Sequence, residues 1–252
     1  INSLVKSMKE GDLHDPFFLP LTEFVALSRD RRFLYIVGKM LKLDWLNNRT
    51  LEDVTTILSL LLPSFACQCV ENNDLVCLQE ILDMMDVDAE DYDGNTVMHR
   101  ACEKGITYIV KHLLSIGASC HMVNCSGFTP LHLAIKNKHI DVIKILNKEG
   151  AIVILKPVQV GIELIKAVWL KDCKLLHAWY LAGADMNQDD YNGQTALHAA
   201  VEKRDKHMVS KLLEYGASPE HKNIWGKTAA DEARMKNLHE ILLLFNPPYP
   251  LK

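Results

Sequence analysis

Thr-Pro-Leu-His-Leu-Ala at residues 129–134 recurs as Thr-Val-Met-His-Arg-Ala at 96–101 and as Thr-Ala-Leu-His-Ala-Ala at 195–200. The threonines that open these segments keep one spacing, because Thr96, Thr129, Thr195 and Thr228 are separated by 33, 66 and 33 residues. Gly-Ala pairs beginning at residues 117, 150, 183 and 216 repeat with the same period of 33 residues. Independent sets of positions that share one period indicate an internal structural repeat.

Each repeat is predicted to contain two helices and a short reversal. Thr129 is a favourable N-cap, because its hydroxyl accepts an N–H of the first turn, and Pro130 at the next position forfeits no hydrogen bond. Residues 141–146 carry apolar side chains at helical spacing, and Gly150 supplies the left-handed residue that ends the second helix. Pairs of a small polar residue and glycine, which suit tight reversals, stand at 93–94, 126–127 and 192–193.

The motif and its period resemble the ankyrin repeat. The resemblance implies an all-α solenoid of stacked helix-turn-helix repeats with short hairpin-like fingers, and the helix-like apolar spacing within residues 1–62 predicts an N-terminal helical cap. We predict a helical cap or linker over residues 1–62, an ankyrin-repeat domain over 63–245 and a tail over 246–252. The predicted repeats are 63–92 (degenerate), 93–125, 126–158, 159–191 (divergent), 192–224 and 225–245 (a C-terminal cap).

Composition narrows the class of protein. The 252 residues are 48% hydrophobic and 24% charged, with a formal net charge of -4, which is typical of a globular chain. This charge gives no general attraction for nucleic acid, and no apolar run approaches the roughly 18 to 20 residues of a membrane span. Seven cysteines at irregular spacing favour reduced thiols, so we expect a cytoplasmic protein. From the net charge and the short apolar runs we expect no nucleic-acid partner and no membrane partner. A first residue other than methionine predicts a piece of a longer protein.

The divergent repeat sharpens the resemblance. The sequences Val-Gly-Ile-Glu-Leu at 160–164, Ala-Trp-Tyr-Leu-Ala-Gly-Ala-Asp at 178–185 and Leu-Pro-Ser-Phe-Ala-Cys at 62–67 are similar to the C-terminal ankyrin region of animal cytosolic L-asparaginases, some of which are named lysophospholipases. The resemblance implies that any asparaginase chemistry belongs to a domain upstream of this chain. The Gly-rich threonine motifs of that chemistry do not occur in these 252 residues.

The same repeat departs from the pattern in two ways. Ile162 and Ile165 replace the threonine and histidine of the motif, and the preceding segment 151–158 is apolar where a finger is usually polar. We read 151–158 as an altered loop and favour burial of its side chains under neighbouring repeats over a docking role.

No catalytic or metal site is predicted. His99, His132 and His198 occupy one position of the repeat, and we expect them to bond to the nearby backbone or threonine hydroxyl rather than to act in catalysis. Cys120, His121 and Cys125 form the only cluster with metal-ligand character, and it lacks a defined fourth ligand. We therefore expect no enzyme activity, no metal and no cofactor in this chain.

Recognition of a protein partner remains as the predicted function. Finger tips and the exposed side of the first helices present side chains to partners in repeat proteins of this kind, and aromatic and basic residues carry much interface energy. The candidate partner-binding residues are Tyr92, Asp93, Arg100, Phe128, Leu133, Lys136, Lys166, Trp169, Tyr191, Asn192, Lys203, Trp225 and Lys227.

Three hypotheses follow in order of preference. The chain is a protein-interaction module with an unidentified protein partner, or it is a regulatory or assembly domain that contacts an upstream L-asparaginase domain. The third is a thiol or metal enzyme, which requires a bound metal or a cysteine of low pKa. The first two are compatible with each other.

Overall fold

A computed structural model describes residues 62–245 of the chain. The predicted cap over 1–62, apart from residue 62, and the predicted tail 246–252 lie outside the described residues. Within this range the helices are α1 (62–71), α2 (Leu75–Leu82), α3 (Val97–Lys104), α4 (Thr107–Ser115), α5 (Pro130–Lys136), α6 (Ile140–Lys148), α7 (Pro157–Trp169), α8 (Cys173–Leu181), α9 (Ala196–Glu202), α10 (Lys206–Glu214), α11 (Ala229–Met235) and α12 (His239–Phe245).

The described residues form two compact units. Unit 1 comprises 62–101 and 108–126, and unit 2 comprises 102–107 and 127–245. Unit 1 has a core that includes Val70, Leu78, Ile81 and Val97, all fully buried. Its α2 begins after Asp74, whose carboxylate accepts the N–H of Cys77 at 3.0 Å and so caps the helix.

Unit 2 is a stack of paired helices. The first helices of successive pairs follow one another, with α7 packed on α9 and α9 on α11, while among the second helices α6 packs on α8 and α10 on α12. The helices bury small or branched side chains against their neighbours, and α5 and α9 bury every residue except the last, so a single pair cannot cover its own apolar surface. The order of packing is therefore that of a solenoid built from repeats.

The helix starts follow the sequence. Thr129 caps α5, and its hydroxyl accepts the N–H of His132 at 3.2 Å with Pro130 at the first helical position, as predicted. Thr228 caps α11 in the same way and accepts the N–H of Asp231 at 3.0 Å. Gly150 has a φ of 78°, the left-handed conformation expected after the second helix.

The divergent repeat begins differently from its neighbours. By the 33-residue period its first helix would begin near Glu163, but α7 begins at Pro157 and runs for 13 residues. Pro157 occupies the position at which Asp190 and Asn223 begin fingers in the next repeats. A finger is held by hydrogen bonds from the backbone N–H of its first residue and to that residue's side chain, and proline offers neither. Proline is also favoured at the first position of a helix, so a helix forms here instead of a finger.

The expected burial of segment 151–158 is wrong for its two isoleucines. Ala151 is buried, but Ile152 is 63% exposed and Ile154 is 48% exposed. The loop is shortened by the early start of α7, so residues 151–156 run from one helix to the next without a finger to fold against.

Candidate functional site

The fingers of unit 2 are built around one acceptor side chain each. A carboxylate oxygen of Asp190 accepts the N–H groups of Asn192 at 2.8 Å and Gln194 at 2.9 Å. The amide oxygen of Asn223 accepts those of Trp225 at 3.1 Å and Lys227 at 3.0 Å. In each finger the first N–H also donates to the carbonyl four residues later, at 2.9 and 3.0 Å. These hydrogen bonds hold the backbone of each fingertip in one conformation without the help of a partner.

Three bulky side chains stand on the two adjacent tips of unit 2. Tyr191 is 80% exposed, Ile224 is 63% exposed and Trp225 is 61% exposed. The tips are joined, because the N–H of Ile224 donates to the carbonyl of Asn192 at 3.1 Å. We name Tyr191, Ile224 and Trp225 the fingertip patch.

His198 anchors the second of these fingers to the repeat before it. Its Nδ1 lies 2.9 Å from the Thr195 hydroxyl, and its Nε2 lies 3.1 Å from the carbonyl of Lys227. Burial lowers the pKa of His198 despite the Lys227 carbonyl, so the ring is neutral near pH 7. His99 of unit 1 makes the corresponding contact to Thr96, with 3.0 Å between Nδ1 and the hydroxyl. The predicted structural role is confirmed for these two histidines.

His132 departs from that pattern. Its ring stacks on Phe128 with 4.4 Å between centroids and meets the edge of Trp179 at 5.7 Å. Its Nδ1 and the indole nitrogen of Trp179 are buried without a hydrogen-bond partner among residues 62–245. The Thr129 hydroxyl therefore does not pair with Nδ1 of His132 as the Thr195 hydroxyl pairs with Nδ1 of His198.

The predicted partner-binding residues have unequal access to solvent. Exposed members are Tyr92, Asp93, Lys136, Lys166, Trp169, Tyr191, Asn192, Lys203 and Trp225, while Arg100, Phe128 and Lys227 are half-buried. Leu133 is only 7% exposed, so its predicted place on a partner-facing surface is wrong; the stripe that α5 buries is wider than the period suggested. Whether the others bind a partner stays a prediction.

Several of these side chains are held by neighbours. Arg100 lies 3.6 Å from the Asp91 carboxylate and 4.0 Å from that of Asp93, within unit 1. Lys136 lies 5.3 Å from the centre of the Phe128 ring. These contacts hold the guanidinium of Arg100 and the ammonium of Lys136 against neighbouring side chains of the protein.

A second group lies at the opposite end of the first helices from the fingers. Lys203 follows the last residue of α9, and its ammonium lies 3.3 Å from the centre of the Trp169 ring at the end of α7. Lys166, one turn earlier on α7, pairs with Glu163 instead. Trp169 is 49% exposed, so it belongs to the surface and not to the core.

Sequence reasoning missed three exposed neighbours of this pair, Leu170, Lys171 and Arg204. Leu170 is 73% exposed, and both basic residues adopt a left-handed backbone conformation. The available signal was the 33-residue spacing of Gly105, Lys138, Lys171 and Arg204, which marks one turn position across the repeats.

The cysteines of the described region are all free thiols. Burial raises the pKa of Cys67 to about 12, with a further rise from the nearby Asp91 carboxylate. Burial and the adjacent Cys77 thiol, 3.1 Å away, raise the pKa of Cys69 as well. Such thiols form little thiolate, which is the reactive species.

We expect Ellman's reagent to modify the native chain in a graded way. Cys125, which is exposed, reacts first, Cys173 reacts more slowly, and the five buried thiols react only after denaturation. The time course of absorbance, with peptide mapping of the modified sites, measures this. Rapid modification of Cys67 or Cys69 in the folded chain would instead support the thiol-enzyme hypothesis.

No group of three or more His, Cys, Asp or Glu side chains among residues 62–245 could hold a metal ion. In the same range, none of the helices combines the length and apolar character needed to cross a bilayer.

The stacked helix pairs, threonine caps and hydrogen-bonded fingers define a class of repeat protein. The family model for ankyrin repeats in three copies matches residues 66–156 and 164–247, so the chain belongs to the ankyrin-repeat family. Proteins of this class bind protein partners, which makes the chain a protein-interaction module of that class.

Among individual proteins, the chain is similar to an L-asparaginase of Dirofilaria immitis. The two are 30% identical over 95% of this chain and 39% of that protein. The 60 kDa lysophospholipase of Mus musculus is 33% identical over 83% of this chain and 36% of the mouse protein. The chain thus spans less than two fifths of the length of each.

Solved structures agree on the fold. The ankyrin repeat protein EF0377 is 25% identical, with a TM-score of 0.56 over 72% of this chain and 96% of its own. A chain in the structure of the Bd0816 predatory endopeptidase of Bdellovibrio bacteriovorus in complex with immunity protein Bd3460 has a TM-score of 0.54 at 24% identity, over 73% of this chain and 97% of its own. The predicted all-α ankyrin-repeat class is confirmed.

Proposed function

We propose that the chain is a non-catalytic interaction module that binds a protein partner through the fingertip patch. The observation that carries the proposal is the exposure of Tyr191, Ile224 and Trp225, at 80%, 63% and 61%, on two tips joined by a hydrogen bond. Tyrosine and tryptophan dominate interface energies because they bury a large area with few rotatable bonds.

Preorganisation supports this choice of surface. The Asp190 and Asn223 side chains each hold their finger through two N–H groups, so little backbone order is lost when a partner docks. Asn192 and Lys227, on the same fingers, supply polar groups at the rim of the patch.

The same proposal covers the setting in which the module works. Free thiols in the described region favour a reducing, cytoplasmic compartment. The net charge of -4 favours a protein partner over nucleic acid or a membrane surface, and the proposed binding needs no cofactor.

The test compares the proteins that bind to the wild-type chain with those that bind to a Tyr191→Ala, Trp225→Ala double variant. Proteins retained from an extract of the source cells are identified by quantitative mass spectrometry, and the main one is purified for a direct titration. We expect the double variant to weaken binding by more than about ten-fold, because each lost aromatic anchor costs about 1 kcal/mol or more.

Leu243→Ala provides the matched control, since Leu243 is 62% exposed on α12, away from the fingers. It should bind as the wild type does, and all three chains should have the same circular dichroism spectrum. A purified partner that binds the double variant with unchanged affinity contradicts the fingertip assignment.

As a second function, we propose that the module is the ankyrin region of a longer L-asparaginase-like protein and contacts its catalytic domain. The similarity to the Dirofilaria immitis L-asparaginase, which runs over 95% of this chain, supports this function. Ile152 and Ile154 are exposed on a segment without a finger and offer an apolar contact for another domain.

The coding sequence upstream of Ile1 gives the first test, because absence of Gly-rich threonine motifs there contradicts this function. If they are present, the separately purified catalytic domain should bind this chain in a surface-plasmon-resonance titration. An Ile152→Ser, Ile154→Ser variant should lose that binding. Val76→Ser, at a residue 47% exposed in unit 1, should keep it.

A further inference from the structure

The turns between first and second helices in unit 2 carry basic residues in an unfavourable backbone conformation. Lys138, Lys171 and Arg204 have φ values of 63°, 54° and 55°. Side chains with a Cβ pay a steric cost in this region, and glycine or asparagine pays less. The corresponding turns at residues 105 and 237 do use Gly105 and Asn237. Three successive repeats therefore keep a cation where a less strained residue would make the same turn.

Side-chain contacts show that these turns lie next to one another. The ammonium of Lys138 pairs with the carboxylate of Asp172 in the following turn. The ammonium of Lys203 lies on the face of Trp169, which ends the preceding first helix. The turns at 136–139, 169–172 and 202–205 thus form one continuous edge of unit 2.

This edge has an apolar centre with unpaired cations beside it. Leu170 is 73% exposed. Lys171 and Arg204 are exposed, and neither has an ion-pair partner among residues 62–245. We name Trp169, Leu170, Lys171, Lys203 and Arg204 the basic turn edge.

Three carboxylates lie at the same edge. Asp172 is engaged by Lys138, Asp205 caps α10 by accepting the N–H of Met208 at 3.0 Å, and Glu202 is exposed next to Lys203. The remaining charge is positive, in a chain whose net charge is -4. An electropositive edge attracts an electronegative partner segment and repels a basic one.

We infer that the basic turn edge binds an extended acidic peptide segment of a partner protein, with a large apolar side chain of that segment seated on Leu170. Neighbouring helix layers are about 8 to 10 Å apart, and an extended chain rises about 3.3 Å per residue. Alternate side chains of an extended chain face the same side, so carboxylates two residues before and after the apolar anchor lie about 6.6 Å from it, within reach of the long side chains of Lys171 and Arg204. This surface is separate from the fingertip patch, which lies at the other end of the first helices.

The arrangement favours a peptide over a nucleic acid. Single-stranded nucleic acid gains affinity by stacking bases on exposed aromatic faces. One face of Trp169 is already covered by the Lys203 ammonium at 3.3 Å. A phosphate backbone would also leave Leu170 in contact with solvent, whereas a leucine side chain of a peptide would cover it.

The probe is a short dye-labelled peptide with a central leucine and aspartates two residues before and after it, titrated with the full chain by fluorescence anisotropy at low salt. We expect saturable binding that weakens as salt is added. A peptide with asparagine in place of the aspartates, and one with serine in place of the leucine, should each bind at least about five-fold more weakly.

The decisive variant is Lys171→Asn with Arg204→Asn, because asparagine tolerates the left-handed turn while it removes the charge and shortens the side chain. Thermal stability should be equal or higher, while the affinity for the acidic peptide falls by at least about five-fold. The matched control, Lys144→Gln with Lys174→Gln, removes the same charge from exposed positions on α6 and α8 and should bind as the wild type does.

Equal affinity of the wild type and the Lys171→Asn, Arg204→Asn variant for the peptide overturns the inference. It is overturned as well if an oligothymidine strand or a phosphatidylserine vesicle binds the edge more tightly than the peptide does. The Tyr191→Ala, Trp225→Ala variant should retain peptide binding in full, which separates this site from the proposed function of the fingertip patch.

Discussion

Gly161→Ala is expected to destabilise unit 2 by about 2 kcal/mol or more, although alanine is the better helix former. Gly161 lies inside α7, and a Cβ at this position would stand 2.3 Å from the carbonyl oxygen and 2.5 Å from the carbonyl carbon of Asp189. The intrinsic gain in helix propensity is about 1 kcal/mol. A backbone atom cannot rotate away as a side chain does, so α7 and the finger must separate, and overpacking of this kind costs about 1 to 3 kcal/mol or more.

Urea denaturation followed by circular dichroism measures this loss, and hydrogen exchange of α7 and α9 locates it. Gly183→Ala is the matched control, because Gly183 has a φ of 78° and nothing within 4 Å of an added Cβ. This variant should lose only about 1 to 2 kcal/mol of unfolding free energy, which is the cost of a Cβ in the left-handed backbone conformation. A Gly161→Ala chain as stable as the wild type would mean that α7 does not lie against Asp189.

The second large effect is expected at Trp179, which is 2% exposed in α8 of the divergent repeat. Trp179→Ala should lower the free energy of unfolding by about 3 to 5 kcal/mol, because it leaves a cavity of aromatic size. It also removes the edge contact to His132 at 5.7 Å. The same denaturation experiment measures the change.

Trp179→Phe separates packing from hydrogen bonding at this site. The indole N–H is buried without a partner among residues 62–245, and such a group costs about 1 to 3 kcal/mol. Removing the unpaired N–H stabilises the chain and offsets part of the stability lost with the buried area of the larger ring. We therefore expect the free energy of unfolding to change by less than about 1.5 kcal/mol. A phenylalanine variant as unstable as the alanine variant would mean that the N–H has a partner in solution.

The regular repeats could be predicted from the sequence because local chemistry and the period agree in them. Thr129 followed by Pro130 fixes a helix start, and Gly150 fixes a helix end, without reference to distant residues. The divergent repeat could not be placed in the same way. There the threonine and histidine are replaced by Ile162 and Ile165, so the cap that sets the helix start is missing.

Pro157 was the residue that carried the missing information. It stands one period after Asn124 and one period before Asp190, at the position of the finger acceptor, and it predicts a helix there by the same rule used for Pro130.

The candidate surfaces were predicted less well than the fold. Aromatic tips such as Tyr191 and Trp225 follow from the period, since their exposure depends on the local turn. The burial of Leu133 and the pairing of Lys203 with Trp169 depend on contacts between different helices and could not be predicted from spacing. The basic turn edge was overlooked because composition does not distinguish a lysine at a left-handed turn position, and only the 33-residue spacing marks that position.

The early start of α7 also bears on aggregation. A row of hydrogen-bonded fingers resembles a narrow sheet, and the free side of a sheet can recruit a further strand from another chain. In unit 2 the backbone of Asp189 on one side of that row is covered by α7, at a distance that only glycine permits at residue 161. Within the residues that the structure describes, growth by strand addition is therefore left to the far side of the row, beyond the finger at 223–227.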